Sequence, residues 1–175
     1  MDFEKRISDI AHSLIQSNNL KDHGWEHTLT VVEYSKLIIN NMEFKLTSEI
    51  LVAAYFHDVG RTKDGFDKYH ALRSVYLIQA FVAPHFPKLD LDSIVFAVKH
   101  HSDMKAPNEN FPVIQNYDID PFLINIEVAM CLWDADRLDL LRVPKFKRID
   151  LNYLNTEFAK KFANSEKHLS KYADF

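Results

Sequence analysis

Apolar residues recur along most of the chain at spacings of three and four residues, the period of a helix buried on one side. In the first segment this spacing joins Phe3, Ile7, Ile10, Ala11 and Leu14. Hardly any stretch alternates apolar and polar residues over the length of a strand. The pattern therefore predicts an all-α protein.

Further helices are predicted from the same spacing and from residues that begin or end helices. They run from around Gly24 to about Asn41, from Thr47 to a stop at Gly60, from Asp67 or a near neighbour to a break at Pro84, from Leu91 into His101, and from an N-cap at Asp120 to a stop before Pro144. The helix from Thr47 is apolar nearly all round, which predicts a central position. A lysine-rich helix closes the chain. We expect one domain over residues 1–175, a compact bundle of about six to eight helices.

The longest irregular connection covers residues 104–118, which contain prolines and asparagines. Its length and position after His100 and His101 suggest a lid over a site. Closure of this segment over bound substrate is a prediction.

The composition supports a globular helical protein, with 47% hydrophobic and 26% charged residues and only three glycines. A net charge of -4 leaves no general positive excess for a nucleic-acid polymer. No segment approaches the roughly 20 apolar residues that span a membrane, and the first residues lack a signal-peptide pattern. A single cysteine, Cys131, excludes an intrachain disulfide and is expected to be a buried thiol. These features predict a cytoplasmic protein.

Charged or polar side chains occupy two strongly apolar contexts. His57 and Asp58 end the most apolar helix, where an ionised carboxylate is costly unless a cation or a metal pairs with it. Asp136 has apolar residues one turn before and one turn after it, so its carboxylate projects from an apolar face. Asp134 and Asp139 are predicted on other sides of that helix, as solvated partners of arginines three residues further on.

His27 lies near the start of the second helix and can face the same interior. Together with His57, Asp58 and Asp136 it would supply two imidazoles and two carboxylates to one divalent cation, namely Mn, Fe, Co, Ni, Zn or, less naturally, Mg. Helical bundles usually build metal sites from such facing side chains. Four other histidines are predicted to be structural or surface residues: His12, His23, His85 and His168.

The ordered set His27, His57-Asp58 and Asp136, in the contexts HGWEHTLTVV, AAYFHDVGR and DADRLD, resembles the HD-domain superfamily of metal-dependent phosphohydrolases. The similarity covers about residues 22–142. It implies that these four residues bind the metal, with Asp134 as the fallback if the register of DADRLD differs. It also implies hydrolysis of a phosphate ester or anhydride, with Asp58 orienting the attacking water.

His70, His100 and His101 follow the HD pair in an order that resembles the binuclear branches of the superfamily. They could bind a second ion, contact substrate phosphate or be core residues. One ion is favoured over two.

Four basic residues follow the HD pair and are expected to rim the site and bind substrate phosphate: Arg61, Lys63, Lys68 and Arg73. Arg61 is closest to the ligands in sequence and is also predicted to assist catalysis. The alternative is a solvated loop, which is weighed equally for Lys63 and Lys68.

The predicted function is hydrolysis of a nucleotide or another small phosphorylated metabolite, as a phosphomonoesterase, phosphodiesterase or nucleotide pyrophosphohydrolase. The segment SDMKAP follows His100-His101 in place of the GYP extension typical of cyclic dinucleotide hydrolysis. The motifs are similar to those of small stand-alone members, some of which are nucleotide pyrophosphohydrolases. Two alternatives stay open: a non-catalytic ligand-sensing or protein-interaction module of the same fold, and a purely structural metal site.

Overall fold

The computed structural model describes residues 2–15, 20–103, 113–143 and 146–172. Within these ranges there is no strand, and the α-helices are α1 Phe3–Ile15, α2 Trp25–Met42, α3 Thr47–Phe56, α4 His70–Phe81, α5 Leu91–His100, α6 Ile126–Leu138, α7 Glu157–Ala163 and α8 Glu166–Ser170. Short 3-10 turns cover Ile114–Asn116, Leu140–Arg142 and Leu151–Tyr153. The predicted all-α bundle of six to eight helices is confirmed.

Helix α3 lies at the centre of the bundle. It packs against α1, α2, α5 and α6, and α6 in turn packs against α2 and α5. Every residue of α3 from Glu49 to Phe56 is buried, because a helix that is apolar on all sides is stable only when neighbours cover all of them. The predicted central position is confirmed, and the end of α3 therefore delivers His57 and Asp58 into the interior.

The helix predicted from Asp120 begins later than the sequence suggested, and α4 begins close to the predicted Asp67. The Asp120 carboxylate accepts a hydrogen bond from the Phe122 amide, but this stabilises only a turn. Helix α6 begins after Asn125, whose side-chain oxygen accepts from the Glu127 amide while its own amide donates to Ser93 Oγ on α5. In α4, Asp67 likewise does not cap the helix, because its carboxylate binds the loop before it and Arg73.

The lysine-rich end of the chain forms two short helices in place of one. Thr156 caps α7 by accepting from the Ala159 amide, and Ser165 caps α8 by accepting from the His168 amide. Because Ser165 begins a separate helix, the lysine-rich segment is not one continuous helix.

Two expectations from composition can be compared with the described residues. None of their helices has the length and apolar character needed to cross a membrane. Cys131 is fully buried on α6, with its Sγ 3.6 Å from the carbonyl oxygen of Ser35. The predicted buried thiol is confirmed.

Gly60 lies where α4 crosses the turn that follows α3. A Cβ atom there would stand 2.4 Å from the Ser74 amide nitrogen and 2.6 Å from the His70 carbonyl oxygen. The Gly60 amide donates to Ser74 Oγ, and its carbonyl accepts from Arg73 Nε. Glycine at this position therefore permits the close approach of α4 to the turn.

We expect Gly60→Ala to lower the free energy of unfolding by about 3 kcal/mol, the upper end of the usual cost of overpacking, because the obstructing atoms belong to the backbone. Chemical denaturation measures the change. The control is Gly65→Ala, where an added Cβ meets nothing within 4 Å but φ is +72°, which costs about 1 kcal/mol. Equal losses in the two variants would contradict the close contact at Gly60.

Candidate metal centre

The structure brings the four predicted ligands together. His27 comes from the first turn of α2, His57 and Asp58 from the turn after α3, and Asp136 from the last turn of α6. His27 Nε2 is 3.1 Å from His57 Nε2, 3.3 Å from Asp136 Oδ1 and 4.0 Å from Asp58 Oδ2. These separations are small enough for one ion to contact several of the groups.

A second group of side chains lies on the other side of Asp58. His70, at the start of α4, and His101, just after α5, place their Nε2 atoms 3.3 and 3.4 Å from Asp58 Oδ1 and 3.1 Å from each other. Asp58 therefore presents one oxygen to His27 and His57 and the other to His70 and His101. His100 turns elsewhere, with its Nδ1 2.5 Å from Asp103 Oδ2.

The histidines share one orientation. Nδ1 of His57, His70 and His101 donates to the main-chain carbonyl three residues earlier, at 2.9, 2.5 and 2.6 Å. Nδ1 of His27 binds the carboxylate of Asp139 at 2.7 Å. Since a carbonyl oxygen only accepts, the proton of His57, His70 and His101 is on Nδ1, and the lone pair of Nε2 in these three rings is directed to the centre. This is the arrangement that histidine ligands adopt around metals.

The electrostatics of the site favour neutral imidazoles at His57 and His70 beside ionised carboxylates. Burial alone would lower the pKa of His27, but its hydrogen bonds with Asp136 and Asp139 raise it. Burial lowers the pKa of His57 to about 3 and that of His70 to about 4. Burial alone would raise the pKa of Asp58, but the adjacent His57 and the other surrounding imidazoles hold it well below its usual value. Burial acts the same way on Asp136, and the hydrogen bond with His27 reverses it, so the pKa of Asp136 is also lowered. Neutral His57 and His70 and ionised Asp58 and Asp136 are the states that metal ligands require, and a bound ion would replace the proton shared by His27 and Asp136.

Asp58 also carries an unsatisfied atom. Its Oδ1 is buried and has no hydrogen-bond partner among the residues that the structure describes. A buried carboxylate oxygen in that position is costly unless a cation balances it. The donor set of imidazole nitrogens and carboxylate oxygens fits a divalent metal ion.

Two residues at the centre were not predicted there. His23 Nδ1 is 2.9 Å from Asp58 Oδ2, although the sequence suggested a structural or surface residue. Asp139 was predicted to be solvated, which is wrong, because it is 2% exposed and binds His27. Its spacing of three residues from Asp136 could have shown that both face the same side. The predicted pairing of Asp139 with Arg142 is present, at 3.2 Å.

Asp134, the fallback ligand, points away from the centre. Its Oδ1 accepts from the amide of Asn155 at 2.7 Å and from the side chain of the same residue at 2.8 Å, and its Oδ2 accepts from the amide of Thr156 at 2.7 Å. The prediction of a solvated group is wrong, since Asp134 is fully buried and Arg137 is 2% exposed. Asp134 instead fixes the segment that leads into α7.

The four basic residues after the HD pair differ in placement. Arg61 is 6% exposed, donates from Nε to Asp58 Oδ2 at 3.0 Å and lies with Nη2 3.0 Å from His70 Nε2. Arg73 binds the Gly60 carbonyl and Asp67. Lys63 and Lys68 are exposed. Only Arg61 of the four reaches the centre. Most of the predicted lid, residues 104–112, lies outside the described residues.

The fold and the site define an all-helical protein with a buried histidine and aspartate centre that can hold metal. The family model of the HD domain matches residues 24–141, and the chain belongs to this family. The resemblance inferred from the sequence is thereby confirmed, and the members of this family are generally metal-dependent hydrolases. Comparisons with curated proteins and with solved structures give no match.

Proposed function

We propose that this chain is a divalent-metal-dependent phosphohydrolase that acts on a nucleotide or another small phosphorylated metabolite. The observation that carries the proposal is the convergence of four Nε2 atoms on Asp58, whose buried Oδ1 has no hydrogen-bond partner among the described residues. Membership of the HD-domain family supports the same class of reaction.

The candidate ligands form two groups, one at each carboxylate oxygen of Asp58. His27, His57 and Asp136, with Asp58 Oδ2, would hold one ion, and His70 and His101, with Asp58 Oδ1, are placed to hold a second. The sequence favoured one ion, whereas this two-sided arrangement supports the alternative of two. The bound stoichiometry distinguishes them.

A divalent ion in such a site lowers the pKa of bound water and polarises a phosphoryl oxygen. The protein's own contribution is positional. Asp58 is held by Arg61, and its carboxylate can accept a hydrogen bond from the attacking water and so orient that water. The guanidinium of Arg61 lies beside the same carboxylate and can neutralise charge that develops on the phosphoryl oxygens.

Access to the centre is from the side of Asp136 and His23. Their side chains are 23% and 21% exposed, whereas those of His27, His57 and Asp58 are at most 2% exposed. We expect the phosphoryl group of a small molecule to approach the centre from this more exposed side. The net charge of -4 argues against a polymeric nucleic acid as substrate.

The first test is elemental analysis of the purified protein, followed by phosphate and pyrophosphate release from a panel of nucleotides and phosphate esters. We expect one or two bound ions per chain and turnover that a chelator abolishes and added manganese or cobalt restores. Release of pyrophosphate from nucleoside triphosphates would identify a pyrophosphohydrolase, and release of phosphate alone from monophosphates would identify a phosphomonoesterase.

A protein without metal and without turnover on any of these substrates would contradict the proposal. That result would favour the alternative of a non-catalytic module with the same fold. Metal that stabilises the fold but supports no turnover would favour a structural ion.

A further inference from the structure

A chain of hydrogen bonds leads from the segment after α8 to the metal centre. The hydroxyl of Tyr172 donates to Asp139 Oδ1 at 2.6 Å, and Asp139 Oδ2 accepts from Nδ1 of His27 at 2.7 Å. The hydroxyl of Tyr34 lies 2.8 Å from that of Tyr172. Tyr172 and His27 thus bind the two oxygens of one carboxylate, although they lie far apart in sequence.

The direction of these hydrogen bonds follows from the chemistry of the groups. A carboxylate only accepts, so the single hydroxyl proton of Tyr172 is given to Asp139. Tyr34 must then be the donor to Tyr172. Both phenols therefore donate along one line that ends at the carboxylate beside His27.

Asp139 needs this second contact because another group binds the oxygen that faces His27. Nη1 of Arg142 is 3.2 Å from Asp139 Oδ2, the atom that also accepts from His27. A carboxylate held at one oxygen can rotate about its terminal torsion, which is broad. The Tyr172 hydroxyl on Oδ1 fixes that torsion, and with it the acceptor for the His27 ring.

The segment that carries Tyr172 is itself fixed to the end of α6. The ring nitrogens of His168 on α8 lie 2.8 Å from the carbonyl oxygen of Leu138 and 3.1 Å from that of Ala163. Leu138 immediately precedes Asp139 in sequence. The phenol and its acceptor are therefore held by the same local contacts.

We propose that Tyr172 is a positioning residue for the metal centre, whose hydroxyl orients Asp139 so that Nε2 of His27 stays directed at the ion. The inference rests on the proposed function in one respect, the assignment of His27 as a metal ligand. It adds a contribution from the end of the helical bundle that the motif residues do not contain.

The test is Tyr172→Phe, which keeps the ring and removes the hydroxyl. We expect the affinity for cobalt or manganese, measured by titration calorimetry, to fall about three- to tenfold, less than the roughly 10–100-fold usual for a residue bonded directly to a ligand. The matched control is Tyr55→Phe, which removes a phenol that donates to the Glu4 carboxylate at 3.0 Å on another part of the fold. Its metal affinity should equal that of the wild type.

A double-mutant cycle tests whether Tyr172 acts through Asp139. Asp139→Asn alone should lower metal affinity more than Tyr172→Phe, and adding Tyr172→Phe to it should have no further effect. The inference would be overturned if Tyr172→Phe lowered metal affinity equally in the wild type and in Asp139→Asn. It would also be overturned if Tyr172→Phe alone bound metal as tightly as the wild type.

A readout in metal-free protein separates this inference from the proposed function. In histidine-labelled protein, the Nδ1 proton of His27 should be protected from exchange in the wild type and in Tyr55→Phe, and should exchange faster in Tyr172→Phe. Unchanged exchange in Tyr172→Phe overturns the positioning role, whatever the protein does with metal. Wild-type protein that binds no metal overturns the proposed function, whatever the exchange experiment shows.

Discussion

Asp58→Asn is expected to lower metal-dependent phosphohydrolase turnover by a factor on the order of 1,000 or more while the helical fold is kept. The carboxylate lies between the two groups of imidazoles, with Oδ2 3.8 Å from His57 Nε2 and Oδ1 3.3 Å from His70 Nε2. An amide has the same shape but no negative charge and only one acceptor oxygen. It can therefore neither balance a divalent ion nor serve both sides of the centre.

The matched control is Asp90→Asn, the same chemical change in a carboxylate with a structural role. Asp90 caps α5 by accepting from the amide and the hydroxyl of Ser93, and asparagine is an equally good N-cap. Turnover and bound metal should be retained in this variant. Circular dichroism and elemental analysis of both variants accompany the rate measurement, and turnover in Asp58→Asn within about tenfold of the wild type would refute the assignment of Asp58.

The second large effect is a pair of opposite outcomes at neighbouring aspartates of α6. Asp136→Asn should lower metal affinity and turnover at least about 10–100-fold, because its Oδ1 is 3.3 Å from His27 Nε2 at the centre. Its stability without metal should fall by less than that of Asp134→Asn, since its side chain is 23% exposed, although the carboxylate with its lowered pKa contributes some stability. The loss is then one of metal binding and not of folding.

Asp134→Asn should instead lower the stability of the fold and leave metal affinity intact. The NH2 group of asparagine must face either the Thr156 amide, which donates to Oδ2, or both the amide and the side chain of Asn155, which donate to Oδ1. We expect a loss of about 2–4 kcal/mol in the free energy of unfolding from this buried network, with metal affinity retained in the folded protein. Denaturation and metal titration of both variants decide the matter, and loss of metal in Asp134→Asn alone would show that the register of DADRLD had been misassigned.

Most of the helices could be predicted because the spacing of apolar residues indicates which face of each helix is buried. The start of α6 could not, since it depends on which of several acceptors binds a backbone amide. Asp120 and Asn125 are both good N-caps by residue type. Asn125 begins the helix because its own amide also binds Ser93 on α5, a tertiary contact that leaves no local signal.

The residues of the candidate site could likewise be predicted only in part. His27, His57, Asp58 and Asp136 stand out in sequence because charged groups in apolar contexts, in that order, are unusual. Asp134 and Asp139 were expected in solvent because each has an arginine three residues on, and both are buried. The chain after α6 folds back over that helix and supplies Asn155, Thr156 and Tyr172 as partners. The periodicity of α6 alone does not predict that a later part of the chain covers this helix.

The orientation of the histidines has a consequence for the order in which the centre can assemble. His57, His70 and His101 each bind a carbonyl three residues earlier, so each ring acquires its direction when its own turn forms. His27 depends on Asp139, 112 residues further along the chain. We therefore expect complete loading of the proposed metal centre to follow the docking of α6, since only this long-range step of folding gives the His27 ring its direction.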